Sequence, residues 1–228
     1  PPPGDTLWDQ SRFIARDADL VQSDNRITAW REARGAVDAE AAAPNRGNSR
    51  FAPGPPGALL CSEGVNCGFT IPAFTTEVRQ FTAAVIYRSQ GEARTLASVF
   101  TGQAHNMIFL MESEGTLLVK DRETTVTASL PRPTGDAPVL ALMAYDGQAL
   151  HLQVNGRSTQ TTGRVPDIAH PGDFFIACRS NRSGLAKTLG SAELHEVFFW
   201  PERALPGSAD PDDQAALSAL DRYFRWTF

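Results

Sequence analysis

The sequence predicts an all-β domain, a sandwich of two antiparallel sheets closed by one short C-terminal α-helix. Three observations carry that expectation. Short apolar segments recur between turn pairs such as Glu114-Gly115, Asp146-Gly147 and Asn155-Gly156. Residues 139–145 form a nearly continuous apolar run, as a strand covered on both faces requires. A single amphipathic stretch then follows the last strand-like segment. A length of 228 residues with 18 Gly and 16 Pro suits one sandwich, since such folds often run to ~200–250 residues as a single unit. The expected organisation is a linker or tail over residues 1–4 and one domain over residues 5–228.

Each element has its own warrant. Phe13-Ile14-Ala15 and residues 26–30 read as short strands around the turn Ser23-Asp24-Asn25. Residues 31–57 are polar and rich in Ala, Pro and Gly, and read as a long surface excursion. Strand signals follow at 58–61, 68–71, 81–88, 95–100, 106–111, 116–120 and 124–129. In 81–88, the residues Phe81, Ala83, Val85 and Tyr87 share one face. Residues 149–154 alternate, with Leu150, Leu152 and Val154 pointing inward. The last strands are expected at 157–161, 173–178 and 193–200. Asp210 is a good N-cap, Pro211 suits the first helical position, and Asp212 and Asp213 complement the helix dipole. Ala216, Leu217, Leu220, Tyr223 and Phe224 make the apolar face of that helix.

A net charge of −5 leaves no basic excess to neutralise phosphates, which argues against a general nucleic-acid binder. No run approaches the ~20 apolar residues of a membrane helix. The start, PPPGDTLW, has neither the basic nor the apolar part of a secretory signal, which reads as a processed protein or an excised domain. Of the three cysteines, Cys61 and Cys67 sit six apart in CSEGVNC. A small disulfide loop and a pair of free, half-buried thiols are both open readings. Zinc is not expected, because no CxxC or clustered His accompanies them.

Five segments carry a family resemblance. They are 17–30 (DADLVQSDNRITAW), 81–88, 140–156 (LALMAYDGQALHLQVNG), 192–205 (AELHEVFFWPERAL) and the terminal helix over 210–226. In order and spacing they resemble the laminin-G-like, concanavalin A-like jelly-roll domains of a bacterial or phage type that ends in a helix. The resemblance implies two antiparallel sheets packed face to face; no cofactor is expected, and calcium is left open without support. Some relatives hold calcium on acidic loops, and no equivalent cluster stands out in this sequence. The chain also departs from the pattern. His151 and Gln153 stand in the hairpin, and Trp200-Pro201-Glu202 replaces a Tyr-Asp-Arg type of turn.

Catalytic candidates are thin. The family's glycosidase cousins carry two carboxylates at alternate positions of an E-x-D-x-x-E run, ready for acid and nucleophile roles. The nearest match is Glu193-Leu194-His195-Glu196, where simple alternation puts Glu193 and His195 on one face and Glu196 on the other with Leu194 and Phe198. The expected role of Glu196 is structural. There is no G-x-S-x-G elbow, dinucleotide fingerprint or phosphate loop. Jelly-roll lyases use Arg, His, Gln and Tyr on one sheet face. Tyr87, Arg88, Gln103, His105, His151 and Gln153 offer such a set, against the plainer reading of a solvated face.

Binding candidates are better. Residues 179–184 (RSNRSG) form a polar loop, and Arg179, Asn181 and Arg182 are its candidate ligand contacts. A guanidinium fork matches a carboxylate, as on an acidic sugar. Asn181-Arg182-Ser183 also fits a glycosylation sequon. Trp8 and Trp200 are candidate stacking platforms, whereas Trp30 and Trp226 read as core or staple residues. His151 and Gln153 form a polar stripe opposite Leu150, Leu152 and Val154. The leading expectation is a non-catalytic carbohydrate-binding or cell-surface recognition module, on an extracellular protein or a phage-like fibre or spike. A polysaccharide lyase or glycoside hydrolase, and a structural or oligomerising domain, are the alternatives. The expected partner is a polysaccharide or cell-surface glycan, with no nucleic acid, no membrane insertion, and a homo-oligomer or larger assembly left open.

Overall fold

Alternation of apolar residues dictates strands, and in the computed structural model they make two sheets. It describes residues 11–103, 106–163, 165, 168–181 and 186–228. The strands are β1 (Ser11–Ile14), β2 (Leu20–Ser23), β3 (Arg26–Arg31), β4 (Asp38–Ala41), β5 (Arg50–Ala52), β6 (Ala58–Cys61), β7 (Phe69–Thr75), β8 (Phe81–Ser89) and β9 (Arg94–Phe100). They continue with β10 (Met107–Ser113), β11 (Thr116–Asp121), β12 (Thr127–Pro131), β13 (Val139–Tyr145), β14 (Ala149–Val154), β15 (Arg157–Thr162), β16 (Gly172–Ile176) and β17 (Ala192–Trp200). One helix, α1 (Pro211–Thr227), follows. No described helix is long and apolar enough to cross a membrane.

The first sheet has the order β15-β14-β13-β8-β17-β6-β5, with β1 paired to β17 beside β6. The second has the order β12-β11-β10-β9-β16-β7-β4-β3-β2. The core lies between them. Phe13, Trp30, Phe69, Phe81, Tyr87, Phe174 and Phe199 are fully buried there. Trp30 anchors one corner: its indole N–H donates to the Ile14 carbonyl at 2.8 Å, and Phe13 and Phe69 meet its ring edge-on. Most buried indoles find such a partner for their N–H.

Two short strands inside 31–57 correct the expectation of an unstructured excursion. β4 adds Asp38–Ala41 to the second sheet and β5 adds Arg50–Ala52 to the first. Segments of four and three residues carry too little alternation to stand out from their polar composition, and pairing with β3, β7 and β6 creates them.

The outer face of the first sheet is apolar, and α1 covers it. Ala84, Ile86, Leu140, Leu142, Phe198 and Trp200 pack against Leu205, Ala216 and Leu220, with Leu217, Tyr223 and Phe224 at the margin. The helix starts as its sequence dictates: Pro211 opens it, and the Asp210 carboxylate accepts from the Asp212 backbone N–H at 2.8 Å. The loop before it is stapled to β8. Thr82 Oγ1 donates to the Arg203 carbonyl at 2.7 Å and accepts from the Leu205 N–H at 2.9 Å. Trp226 is not a core residue, since it faces solvent with 76% of its surface exposed. The apolar stripe of α1 runs through Ala216, Leu220 and Tyr223, and Trp226 falls outside it.

Candidate functional site

Covering one sheet leaves the outer face of the other. Along β9, β10, β11 and β16, residues alternate between the core and this face, so Thr95, Ser98, Phe100, Met107, Phe109, Met111, Leu118, Lys120 and Phe175 point outward. A cluster of Met, Phe and Leu there is unusual for a solvated sheet. Arg179 lies over it.

The route to that position begins at the end of β16. Ala177 takes a left-handed φ of 56°, uncommon for a residue with a side chain, and turns the chain. The Arg179 carbonyl then accepts from Ser98 Oγ at 3.3 Å. Its guanidinium carbon sits 3.9 Å from the centre of the Phe109 ring, and Nε donates to Thr95 Oγ1 at 3.0 Å. One terminal nitrogen is 3.7 Å from Met111 Sδ. The Lys120 ammonium approaches the same ring at 5.7 Å. Two cations thus share one aromatic ring.

No carboxylate completes this arrangement among the described residues. Burial pushes the Arg179 pKa down to about 10. Partly buried guanidinium groups are ordinarily paired with an acid. Among the described residues Arg179 is thus a partly buried cation without an acidic partner, lying over side chains that are themselves buried: Phe109, Met107 and Met111.

The other expected site residues separate. Asn181 is exposed, and its carbonyl oxygen accepts from the Ala43 N–H at 3.2 Å, tying the loop to the segment after β4. Trp8, His105 and Arg182 lie outside the described residues. Trp200 is not an exposed platform: it is buried beneath α1. His151 and Gln153 do face outward from β14, but the C-terminal segment covers them. His151 Nε2 lies 2.8 Å from Asp146 Oδ2 under Gly207, and Gln153 reaches Asp221 on α1 at 3.4 Å. The polar stripe is thus the lining of an internal contact. Tyr87 points into the core and donates to buried Glu112 at 2.8 Å, so the lyase-like set does not assemble either.

The Glu193–Glu196 tetrapeptide is rearranged by a β-bulge. Register with β8 shifts between Leu194 and Glu196, so Leu194 faces the core while Glu196 and Phe198 face α1. Glu193 pairs with Arg88 at 2.9 Å. His195 Nδ1 donates to the Gly57 carbonyl at 2.9 Å. Glu196 pairs with Arg12 at 2.9 Å. Three groups with three separate partners do not make an acid/base pair.

Two clefts escaped sequence reasoning. One of about 450 Å³ lies among Glu77, Arg79, Tyr145 and Gln148. Another of about 490 Å³ is lined by Leu130, Pro131, Arg132, Pro133, Val154 and Arg157. The Asn155-Gly156 turn that presents Arg157 was visible, but its neighbour β12 is remote in sequence. Among the described residues, no cluster of His, Cys, Asp and Glu is able to hold a metal ion.

No protein-family model matches the chain, and no curated protein matches its sequence. Solved structures do match its fold. Domain 4 of an extracellular arabinanase from Geobacillus stearothermophilus, in complex with arabinotriose, aligns with a TM-score of 0.60 at 12% identity over 84% of this chain and 91% of that one. Trypanosoma rangeli sialidase in complex with sialic acid aligns with a TM-score of 0.55 at 14% identity, over 94% of this chain. The chain spans about a third of the sialidase, 33% of its length. The binding domain of botulinum neurotoxin DC in complex with SialylT gives a TM-score of 0.58 at 8% identity, over 95% of this chain and 52% of that one. The protein has the fold of the concanavalin A-like jelly-roll sandwiches, two antiparallel sheets with a C-terminal helix added.

Proposed function

We propose that this domain is a non-catalytic recognition module for acidic glycans, displayed on an extracellular protein or particle surface. The observation that carries the reading is the half-buried Arg179 guanidinium, held over Phe109 and Thr95 with Lys120 beside it and no acid to balance it among the described residues. A sugar carboxylate fits that fork in a bidentate way. The fold neighbours add support, since they include an arabinanase domain solved in complex with arabinotriose and a toxin binding domain solved in complex with SialylT.

The test is a glycan array followed by titration of the best acidic glycan. Wild type is expected to retain carboxylated glycans over their neutral counterparts. Arg179→Ala is expected to lower affinity at least tenfold and Arg179→Lys nearly as much, because an ammonium does not reproduce the fork. Unchanged binding by a folded Arg179→Ala variant removes this face from the site. Retention of no glycan at all removes the function.

A further inference from the structure

Both sheets end at one side of the sandwich, and a cleft opens where their end strands meet. β15 is an end strand of the first sheet and β12 of the second, and the two pack against each other. The cleft between them holds about 490 Å³, within the ~300–1,000 Å³ of small-molecule sites. One wall is the end of β12 and the chain just beyond it, with Leu130, Pro131, Arg132 and Pro133. The other is the β14–β15 hairpin, with Val154 and Arg157. Pro131 is exposed and Leu130 and Pro133 are half-buried, so the apolar wall is open to a ligand. Proline side chains lose no rotamer freedom when covered.

Two arginines are held at this cleft from opposite sheets. The Arg132 backbone N–H donates to the Gly115 carbonyl at 2.8 Å, and its Nε lies 3.6 Å from a Glu112 oxygen. Glu112 is fully buried and is fixed by the Tyr87 and Ser89 hydroxyls, each donating to it at 2.8 Å. At 3.6 Å Arg132 and Glu112 make an ion pair and no hydrogen bond. The guanidinium donors of Arg132 are therefore unused among the described residues. Arg157 leaves a pinned turn. Asn155 takes φ 46° and Gly156 φ 83°. The Asn155 N–H donates to the Leu140 carbonyl at 3.0 Å, and its side-chain oxygen accepts from the Leu140 N–H at 2.9 Å. Arg157 is exposed and has no acidic partner among the described residues.

No acid lines the cleft among the described residues. Glu112 balances one of the two guanidinium charges from inside the core. Asp221 and Arg225 both stand beside the Gly156 turn, 3.8 and 3.9 Å from where a Cβ would be, and offset each other. One positive charge is left at the mouth of the cleft.

We propose that this cleft is a binding site for a carboxylate carried on a compact ring, held between Arg132 and Arg157. A single uncompensated charge suits a monoanion better than the dianion of a phosphate. The Arg157 fork takes the carboxylate, and Arg132 adds donors from the wall that Glu112 steadies. The ring lies along Leu130, Pro131 and Pro133. Free sugar acids and the acidic ends of glycans share this chemistry. Binding here is independent of Arg179, which lies over Phe109 on β10 rather than at the β12 edge.

Titration of the isotope-labelled full chain with sodium glucuronate, followed by NMR, tests the site. The amide signals of Thr134, Asn155 and Arg157 are expected to shift saturably with glucuronate and not with glucose, and inorganic phosphate is expected to bind more weakly. Arg157→Ala is expected to raise the Kd about tenfold, the worth of a hydrogen bond to a charged group, and Arg157→Lys nearly as much. Because Arg157 is exposed, these variants keep the fold. Arg132→Ala leaves Glu112 buried without its cation and threatens the fold, so Arg157 carries the test. Arg179→Ala and Arg31→Ala, the latter on β3 toward the far end of the second sheet, are expected to bind as wild type. Tighter binding of a glucuronate-terminated oligosaccharide than of the free acid supports the site with a glycan end as its source, and the reverse order supports it with a free acid. The absence of a saturable shift, an equal response to glucose, or tighter binding of phosphate overturns the proposal. So does loss of binding in Arg179→Ala with none in Arg157→Ala, which places the carboxylate on the Arg179 face and leaves the function proposed above standing.

Discussion

Arg12 and Glu196, 184 positions apart in sequence, form the ionic joint of the C-terminal closure. Nε and one terminal nitrogen of Arg12 donate to the same Glu196 oxygen at 3.0 and 2.9 Å. Tyr223 from α1 completes the joint: its hydroxyl accepts from Arg12 at 2.7 Å and donates to the other Glu196 oxygen. The Arg12 guanidinium also lies over the Tyr223 and Phe198 rings, at 4.7 and 5.2 Å. Burial raises the Glu196 pKa against the pull of Arg12 and Tyr223, and holds the Tyr223 hydroxyl up at about 12. Arg12→Ala leaves the carboxylate buried and unpaired. Truncating one partner of such a pair costs about 3–5 kcal/mol. Tyr223→Phe removes only its hydroxyl contacts and is expected to cost about 1–2 kcal/mol. Urea unfolding of the three proteins checks that order.

His195 makes stability depend on pH. Burial lowers its pKa below the ordinary 6.5, and among the described residues Nε2 has no partner to receive a proton's charge. The Phe228 ring lies 5.3 Å away and adds to the apolar cover. A group with a depressed folded-state pKa binds protons more readily when unfolded. Its contribution is therefore complete above about pH 6.5 and is lost as pH falls through the folded value. Unfolding free energy is expected to drop on acidification below 6.5. The part due to His195 disappears in His195→Asn, which keeps a donor for the Gly57 carbonyl. A difference between the two proteins that does not change with pH contradicts this.

The sequence made the frame of the fold legible and its closures opaque. Hairpins at Asp146-Gly147 and Asn155-Gly156, the two-sided strand 139–145 and the Asp210-Pro211 helix start are local signals, and each stands where it was expected. The bulge at His195 is set by pairing with β8, so strict alternation put Leu194 on the wrong face. His151, Gln153 and Trp200 have the chemistry of ligand contacts, but a helix arriving from elsewhere in the chain covers them. Arg179 was visible as a candidate. Its ring, Phe109, was not, because a contact across 70 positions leaves no local trace.

Among the described glycines, Gly190 makes the closest approach to another stretch of backbone. A Cβ there would stand 2.2 Å from the Glu92 carbonyl oxygen and 2.3 Å from the Ala93 carbonyl carbon. Both obstacles are backbone, so neither rotates away. Gly190→Ala must push the start of β17 from the β8–β9 turn, and overpacking of this kind costs roughly 1–3 kcal/mol. Gly115→Ala, at an open hairpin turn with nothing within 4 Å, carries only the penalty of its positive φ. A lower melting temperature for Gly190→Ala than for Gly115→Ala checks the contrast.

Trp200 tests the cover itself. Its indole stacks near Phe198 at 6.1 Å and lies under α1. Trp200→Ala is expected to cost about 3–5 kcal/mol through lost burial and the cavity left behind. The Arg179 face lies on the opposite sheet, so any folded fraction is expected to bind the acidic glycans of the proposed function as wild type does. Loss of binding in a folded Trp200→Ala protein places the site under the helix instead.

The position of β17 bears on how the chain acquires its structure. This strand joins β8 on one side and both β1 and β6 on the other, yet it follows every other strand in sequence. A chain synthesised from its N-terminus holds β1, β6 and β8 in waiting until residues 192–200 emerge. The apolar outer face of β8 and β13 stays uncovered until α1 arrives. Pairings across nearly the whole chain form slowly, and exposed apolar strands are the species that aggregate in the meantime. The first sheet thus receives last an interior strand, the one that joins β8 to β6 and β1.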